Sequence, residues 1–150
     1  MKKDQLTKLG CTFFFAGYFP VAPGTFASFI TLAIIWFLIP PVFYILLPVA
    51  IGLLFLSVWL ATRGEEFFGK DGSPIVIDEV VGMVISLAFV SKDIKSFAGA
   101  FLLFRLFDII KPPPARAVEK LRGGWGVTLD DVAAGIYANL CLHLILYLAG

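Results

Sequence analysis

Asp78, Glu79, Asp108, Asp130 and Asp131 are five of the chain's eleven acidic residues, and each sits at or near the end of a long apolar stretch. None lies in the middle of one. A carboxylate is costly in hydrocarbon, so a membrane chain that keeps its acids at the water boundary has work for them there. Hard divalent cations prefer carboxylate oxygens, and a metal at a bilayer surface suits chemistry on a phosphorylated lipid headgroup.

The segment from Phe104 to Arg116, FRLFDIIKPPPAR, is the richest in such groups. On a helix, Arg105 and Asp108 stand three apart and share a face. Pro112, Pro113 and Pro114 stop that helix near Lys111 and stiffen the chain beyond it, which limits where Lys111 and Arg116 can point. The bland alternative is an Arg105–Asp108 ion pair at the interface. The functional one is a metal-binding Asp108, with Lys111 and Arg116 holding phosphate. Further along, GGWGVTLDD leads into the last apolar stretch. Thr128 as N-cap with Asp131 three residues on resembles a capping box, which leaves Asp130 unexplained. Asp78 and Glu79 open another apolar stretch. Asp78 has an N-cap reading, whereas Glu79 has none and calls for a cation. At the opening of the first apolar segment, either Thr25 or Ser28 caps it, or Gly24 and Thr25 contact phosphate through N–H and hydroxyl groups.

Other chemistries are excluded by spacing. Gly64 to Lys70 fits GxxxxGK, but Asp71 stands where a Ser or Thr would hold magnesium, and the preceding segment reads as helix rather than strand. A Cys-based phosphatase needs an Arg six positions after its Cys, where Cys11 and Cys141 have Gly17 and Tyr147. The same cysteines, far apart and in apolar surroundings, form neither a zinc pattern nor a disulfide framework and read as buried thiols. The single histidine, His143, lies deep in the last apolar segment and reads as hydrogen-bonded within a bundle. No DxDx nucleophile occurs. Carboxylate, hydroxyl, Lys, Arg and metal remain.

The elements that must position these groups follow from composition. The 150 residues suffice for one domain, 1–150, and 59% are hydrophobic, against about 45–50% in soluble domains. No charged residue occurs between Lys8 and Arg63, so the chain reads as a membrane protein. Five apolar segments are drawn: Thr25 to Ile39, Val42 to Ala61, Ile75 to Val90, Ile94 to Ile110 and Val132 to Ala149. Val42 to Ala61, 20 residues, spans about 30 Å as a helix. Several others are short, which implies tilt or partial re-entry. Pro48 marks a kink. The expected fold is all-α: a polytopic helical membrane bundle of about five apolar helices. The N-terminus lacks a small-residue cleavage site and does not read as a signal peptide. A net charge of +1, without a basic aromatic run, argues against a nucleic-acid partner.

If Pro40-Pro41 turns a tight hairpin, the N-terminal tail and the loops 63–74 and 111–131 share one side. That side collects Lys2, Lys3, Lys8, Arg63, Lys70, Lys111, Arg116, Lys120 and Arg122, and the other side only Lys92 and Lys95. The positive-inside rule places the first set in the cytoplasm. The same assignment puts Thr25 and all five interfacial acids near the cytoplasmic face.

Taken together, Pro23-Gly24-Thr25 with Ser28, Asp78-Glu79-Val-Val-Gly82-Met83, Phe107-Asp108-Ile-Ile-Lys111-Pro-Pro-Pro114, and Gly124-Trp-Gly126 through Asp130-Asp131 to Gly135 resemble the phosphatidylglycerophosphatase A family. The blocks occur in order over nearly the whole chain, with no departure at these positions. The resemblance implies a bacterial cytoplasmic-membrane enzyme, dependent on Mg²⁺, that removes the terminal phosphate of phosphatidylglycerophosphate to leave phosphatidylglycerol. On this expectation Glu79, Asp108 and Asp130 or Asp131 hold one or two Mg²⁺, and Asp78 serves as ligand or base. Lys111, Arg116 and Arg105 neutralise the phosphate, and Thr25 adds a hydrogen bond. The alternative is a small multi-pass ion or solute transporter. It is disfavoured because transporters gather ionisable groups near the bilayer midplane rather than at one face.

Overall fold

The computed structural model describes residues 2–39 and 43–150. Among them there is no strand, and seven α-helices follow one another. These are α1 (Lys2–Cys11), α2 (Pro23–Leu38), α3 (Phe43–Phe68), α4 (Ile77–Ser86), α5 (Ile94–Ile110), α6 (Ala115–Val118) and α7 (Gly124–Ala149), with a short 3-10 turn at Ala16–Tyr18. The all-α expectation holds. The expected Pro40-Pro41 hairpin lies outside the described residues.

The expected count of about five apolar helices, some of them short, is met in part among the described residues. Among the described residues, α3, from Tyr44, and α7 are long and apolar enough to cross a membrane, at 25 and 26 residues. α2 is a shorter apolar helix of 16 residues. α3 runs on through Pro48 and past Ala61 to Phe68, so its last turns carry Arg63, Glu65 and Glu66 out of the apolar stretch. α4 is the largest departure. It stops at Ser86, not Val90, after only ten residues.

A helix can end inside an apolar layer only if something satisfies its last carbonyls. Here α7 does so. Asn139 Nδ2 donates to the carbonyls of Ser86 at 3.1 Å and Ala88 at 2.7 Å, and His143 Nε2 lies 3.3 Å from the Ala88 oxygen. The intrabundle hydrogen bond expected for His143 is therefore present.

α4 is the central element. Eight of its ten residues are buried. Met83, Val84 and Leu87 pack with Phe97, Ala100 and Phe104 of α5 and Ala134, Ala138 and Leu142 of α7. The outer surface is apolar too: Phe37 is 79% exposed, Phe55 61%, Leu140 63% and Tyr147 84%, faces that water would not favour and lipid would.

Two glycines set the spacing of the centre. A Cβ on Gly135 would lie 2.5 Å from the Gly82 carbonyl oxygen, and one on Gly82 would strike the Phe104 ring and come within 2.9 Å of the Asp131 oxygen. Only glycine at both positions lets the α4 and α7 backbones touch with the α5 ring against them. One turn toward the helix N-termini, Gly82 leads to Glu79 and Gly135 leads to Asp131. One turn onward in α5, Phe104 leads to Asp108. The packing layer thus dictates the layer of carboxylates above it.

Candidate active site

Five chain ends meet at one end of the bundle: the N-termini of α2, α4 and α7, the C-terminus of α5, and the loop that follows α3. Between them lies a cavity of about 400 Å³ whose walls include Gly24, Asp71, Asp78, Glu79, Arg105, Asp108, Lys111, Asp130 and Asp131. Acids scattered over more than fifty positions of the sequence therefore share one space.

Glu79, Asp108 and Asp131 each offer an oxygen within 4.8 Å of the others. Arg105 stands beside them, with Nη1 2.5 Å from Glu79 Oε2 and 3.1 Å from Asp108 Oδ2. The Arg105–Asp108 pair read from the helix spacing is real, but its tighter partner is Glu79 on another helix. Ser28 Oγ bridges α2 to the cluster, donating at 2.9 Å to the Gly24 carbonyl and at 3.3 Å to Glu79 Oε2. Gly24 is where α2 comes closest, for a Cβ there would sit 2.8 Å from Glu79 Cδ.

Asp130 and Asp131 part company. Adjacent residues on a helix point about 100° apart, so they reach different neighbours. Asp131 joins the α4–α5 carboxylates. Asp130 Oδ2 instead accepts from Lys111 Nζ at 2.7 Å, and the same ammonium donates to Glu119 Oε1 at 2.8 Å. Burial by itself would lower the Lys111 ammonium, but these two hydrogen bonds outweigh it and hold it above the ordinary lysine range. Lys111 is the C-cap of α5 in left-handed conformation, and the prolines after it are fastened to α7 by the Tyr137 hydroxyl, which donates to the Pro113 carbonyl. The proline run thus aims Lys111, as its stiffness leads one to expect.

Local caps read from the sequence are replaced by tertiary ones. Thr128 is not the N-cap of α7, because the helix begins at Gly124, whose N–H donates to Thr62 Oγ1 of α3 at 2.8 Å. Thr128 is buried and pairs instead with Ser57 Oγ at 2.8 Å, which moves Asp131 out of the capping box and into the cavity wall. Asp78 is not an N-cap either, since Val76 takes that place and Asp78 is a buried residue of the first turn. Thr25 lies in the first turn of α2 and does not line the cavity. Nor does Arg116, whose Nη2 donates to the Ile110 carbonyl at 3.3 Å.

Two participants escaped sequence reading. Asp71 lines the cavity, and burial raises its carboxyl against the opposing pull of Lys111. Its only signal was its place in a loop that fails as a phosphate-binding motif. Glu119 is a second anchor for Lys111, and nothing in its charged surroundings marked it.

The donor set fits a hard divalent cation. Six carboxyl groups and two cationic side chains line the cavity, an excess of negative charge that no phosphate would enter unaided. Asp78 Oδ1 and Asp131 Oδ2 are buried without a hydrogen-bond partner, as a ligand oxygen awaiting a cation would be. Gathered oxygens of this kind suit Mg²⁺ rather than a soft metal.

Similarity to known proteins identifies the family. The family model for phosphatidylglycerophosphatase A matches residues 9–146. A protein of Bacteroides thetaiotaomicron, provisionally named a phosphatidylinositol-3-phosphatase, is 37% identical over 93% of this chain and 92% of its own. Proteins named phosphatidylglycerophosphatase A are 38% identical in Haemophilus influenzae, covering 89% of this chain and 85% of theirs, and 33% identical in Escherichia coli, covering 88% and 78%. No solved structure matches. The chain belongs to the phosphatidylglycerophosphatase A family.

Proposed function

We propose that this protein is a Mg²⁺-dependent phosphatase of the cytoplasmic membrane face that hydrolyses the terminal phosphate of phosphatidylglycerophosphate to phosphatidylglycerol and inorganic phosphate. The observation that carries the reading is the meeting of Glu79, Asp108 and Asp131 within 4.8 Å, inside a cavity that also holds Arg105 and Lys111.

Glu79, Asp108 and Asp131 hold the metal, with Asp78 beside them as further ligand or as base. The bound metal supplies charge to polarise the phosphoryl oxygens and to ease ionisation of the attacking water. Arg105 bridges Glu79 and Asp108 and turns one or more of its donors to the phosphate when substrate enters. Lys111 lines the same cavity, held in place by Asp130 and Glu119. Where Asp78 is not a ligand, its carboxyl, which lines the same cavity, takes the proton of the attacking water. The cytoplasmic assignment rests on the nine basic residues that a turn at Pro40-Pro41 would gather on the site's side. A transporter is not favoured, because the ionisable groups gather at one end of the bundle rather than along a path through it.

The test is phosphate release by purified protein from phosphatidylglycerophosphate, with Mg²⁺ and with a chelator. Mg²⁺-dependent release is expected, and no release with any divalent metal removes the enzyme. Phosphatidylinositol 3-phosphate belongs in a parallel arm, since one 37% identical relative is named for it. Faster release from that lipid would retain the phosphatase and overturn the headgroup assignment.

A further inference from the structure

α2 and α5 both deliver residues to the carboxylate cavity, and they also face each other farther along their lengths. Between them runs a groove of about 310 Å³, where Phe29, Leu32 and Trp36 of α2 face Phe97, Ala98 and Phe101 of α5. Two aromatic pairs frame it. Phe29 meets Phe101 edge to face at 6.3 Å on the cavity side, and Trp36 meets Phe97 edge to face at 5.0 Å on the far side. Beside Trp36 stands Lys92, whose Nζ donates to the Ile39 carbonyl at 2.9 Å and lies 6.0 Å from the Trp36 ring centroid.

Both walls of the groove begin within about two helical turns of residues that line the cavity. On α2, Phe29 is about 7.5 Å along the axis from Gly24, and on α5, Phe101 is about 6 Å from Arg105. From Gly24 to Trp36 the axial distance is about 18 Å, close to the roughly 15 Å depth of one leaflet's hydrocarbon. No polar side chain lines it, so a peptide strand laid there would leave its backbone groups unpaired. A molecule that fills cavity and groove together must carry phosphate at one end and hydrocarbon at the other.

We infer that the groove between α2 and α5 seats one acyl chain of the phospholipid whose phosphate enters the carboxylate cavity, an assignment that rests on the lipid-phosphatase reading. A chain that moves from bilayer to groove gains little from leaving water, because lipid tails are as apolar as the groove walls. Its gain is contact with fixed aromatic rings, and the effect is orientation. The seated chain sets the depth and azimuth of the headgroup, so the phosphoryl group arrives at Glu79, Asp108 and Asp131 already aligned. The groove therefore selects by chain length rather than by headgroup.

The experiment compares kcat/KM for long-chain and dihexanoyl phosphatidylglycerophosphate in one detergent, for the parent and for Ala98→Phe, which fills the middle of the groove. Leu102→Trp, on a face of α5 that is 66% exposed and outside the groove, is the control. The long-to-short ratio should fall at least tenfold in Ala98→Phe and stay within twofold in Leu102→Trp. An unchanged ratio in Ala98→Phe, or an equal fall in both variants, would overturn the groove while leaving the phosphatase standing. A second measurement needs no turnover. With Trp59 and Trp125 replaced by Phe, Trp36 is the sole tryptophan, and a brominated-chain phosphatidylglycerophosphate titrated into the detergent should quench it saturably in the parent and not in Ala98→Phe. Saturable quenching without phosphate release would keep the acyl seat and remove the enzyme. Unsaturable quenching in the parent would sink the seat.

Discussion

Gly24→Ala separates positioning from folding. In the first turn of α2 the change from glycine to alanine favours the helix by up to about 1 kcal/mol. The new Cβ would strike Glu79 Oε1 and lie 2.8 Å from Glu79 Cδ, where ordinary contact begins at 3.4 Å, so the carboxyl oxygen must retreat by more than about 1 Å. It is the mobile end of a side chain, and the fold yields there cheaply. The retreat does disturb the Arg105 contact at 2.5 Å, the Ser28 hydrogen bond at 3.3 Å and the shared reach of the three carboxylates. A displacement of about 1 Å in such a site costs on the order of 100-fold in rate, or about 2.7 kcal/mol of transition-state stabilisation. Stability should move by no more than about 1 kcal/mol in either direction, which is about 2–4 °C in Tm for a chain of this size. Phosphate release and a thermal melt on the same preparation read both quantities. Turnover within threefold of the parent would refute the claim that Gly24 sets the place of Glu79. Lost turnover with a collapsed Tm would show that Gly24 serves packing instead.

Four further outcomes are expected. Asp108→Asn should abolish release while the folded protein still accumulates in the membrane, and retained turnover would strike Asp108 from the site. Lys111→Met leaves the buried Asp130 without its cation and should cost about 2 kcal/mol, a cost that Asp130→Asn in the same chain should partly reverse in a denaturation series. Asn139→Leu removes both donors to the carbonyls that follow α4 and should cost about 1–3 kcal/mol, read as a lower Tm with α4 amides exchanging faster. Asp93 caps α5, and its hydrogen bonds from the Ser96 hydroxyl and N–H hold its carboxyl below the usual range. A lowered folded value means its contribution is present above the unfolded pKa and fades as pH falls through the folded one. Asp93→Ala should therefore melt below the parent at pH 7, with the two converging in acid.

Much of the site was legible because hydrocarbon leaves little freedom to charge. Five acids at the edges of apolar stretches, with Arg105 and Lys111 near them, mark a polar end of a bundle before any coordinates are known. The proline run after Lys111 reads correctly as a helix stop, for proline cannot continue the ladder whatever packs against it. What failed were local capping arguments. Thr128, Asp131 and Asp78 have the residue types of caps, but a cap chosen from sequence competes with partners from other helices. Here Thr62 of α3 accepts from the first N–H of α7, Ser57 engages Thr128, and Val76 holds the N-cap position of α4. The end of α4 was equally hidden, since the apolar run continues past Ser86 and the groups that permit a stop, Asn139 and His143, come more than fifty residues later.

Composition and periodicity alone determined that this chain is helical, apolar on its outside, and acidic at one boundary, because solvation energy acts on each residue wherever its neighbours lie. The tertiary structure decided which acids meet. The contact of Gly82 with Gly135 and Phe104 sets Glu79, Asp131 and Asp108 one turn away in a common layer, and the 100° step along α7 sends Asp130 to Lys111 instead. Convergence of remote side chains depends on how closely backbones approach one another, and that distance is a property of the packed whole.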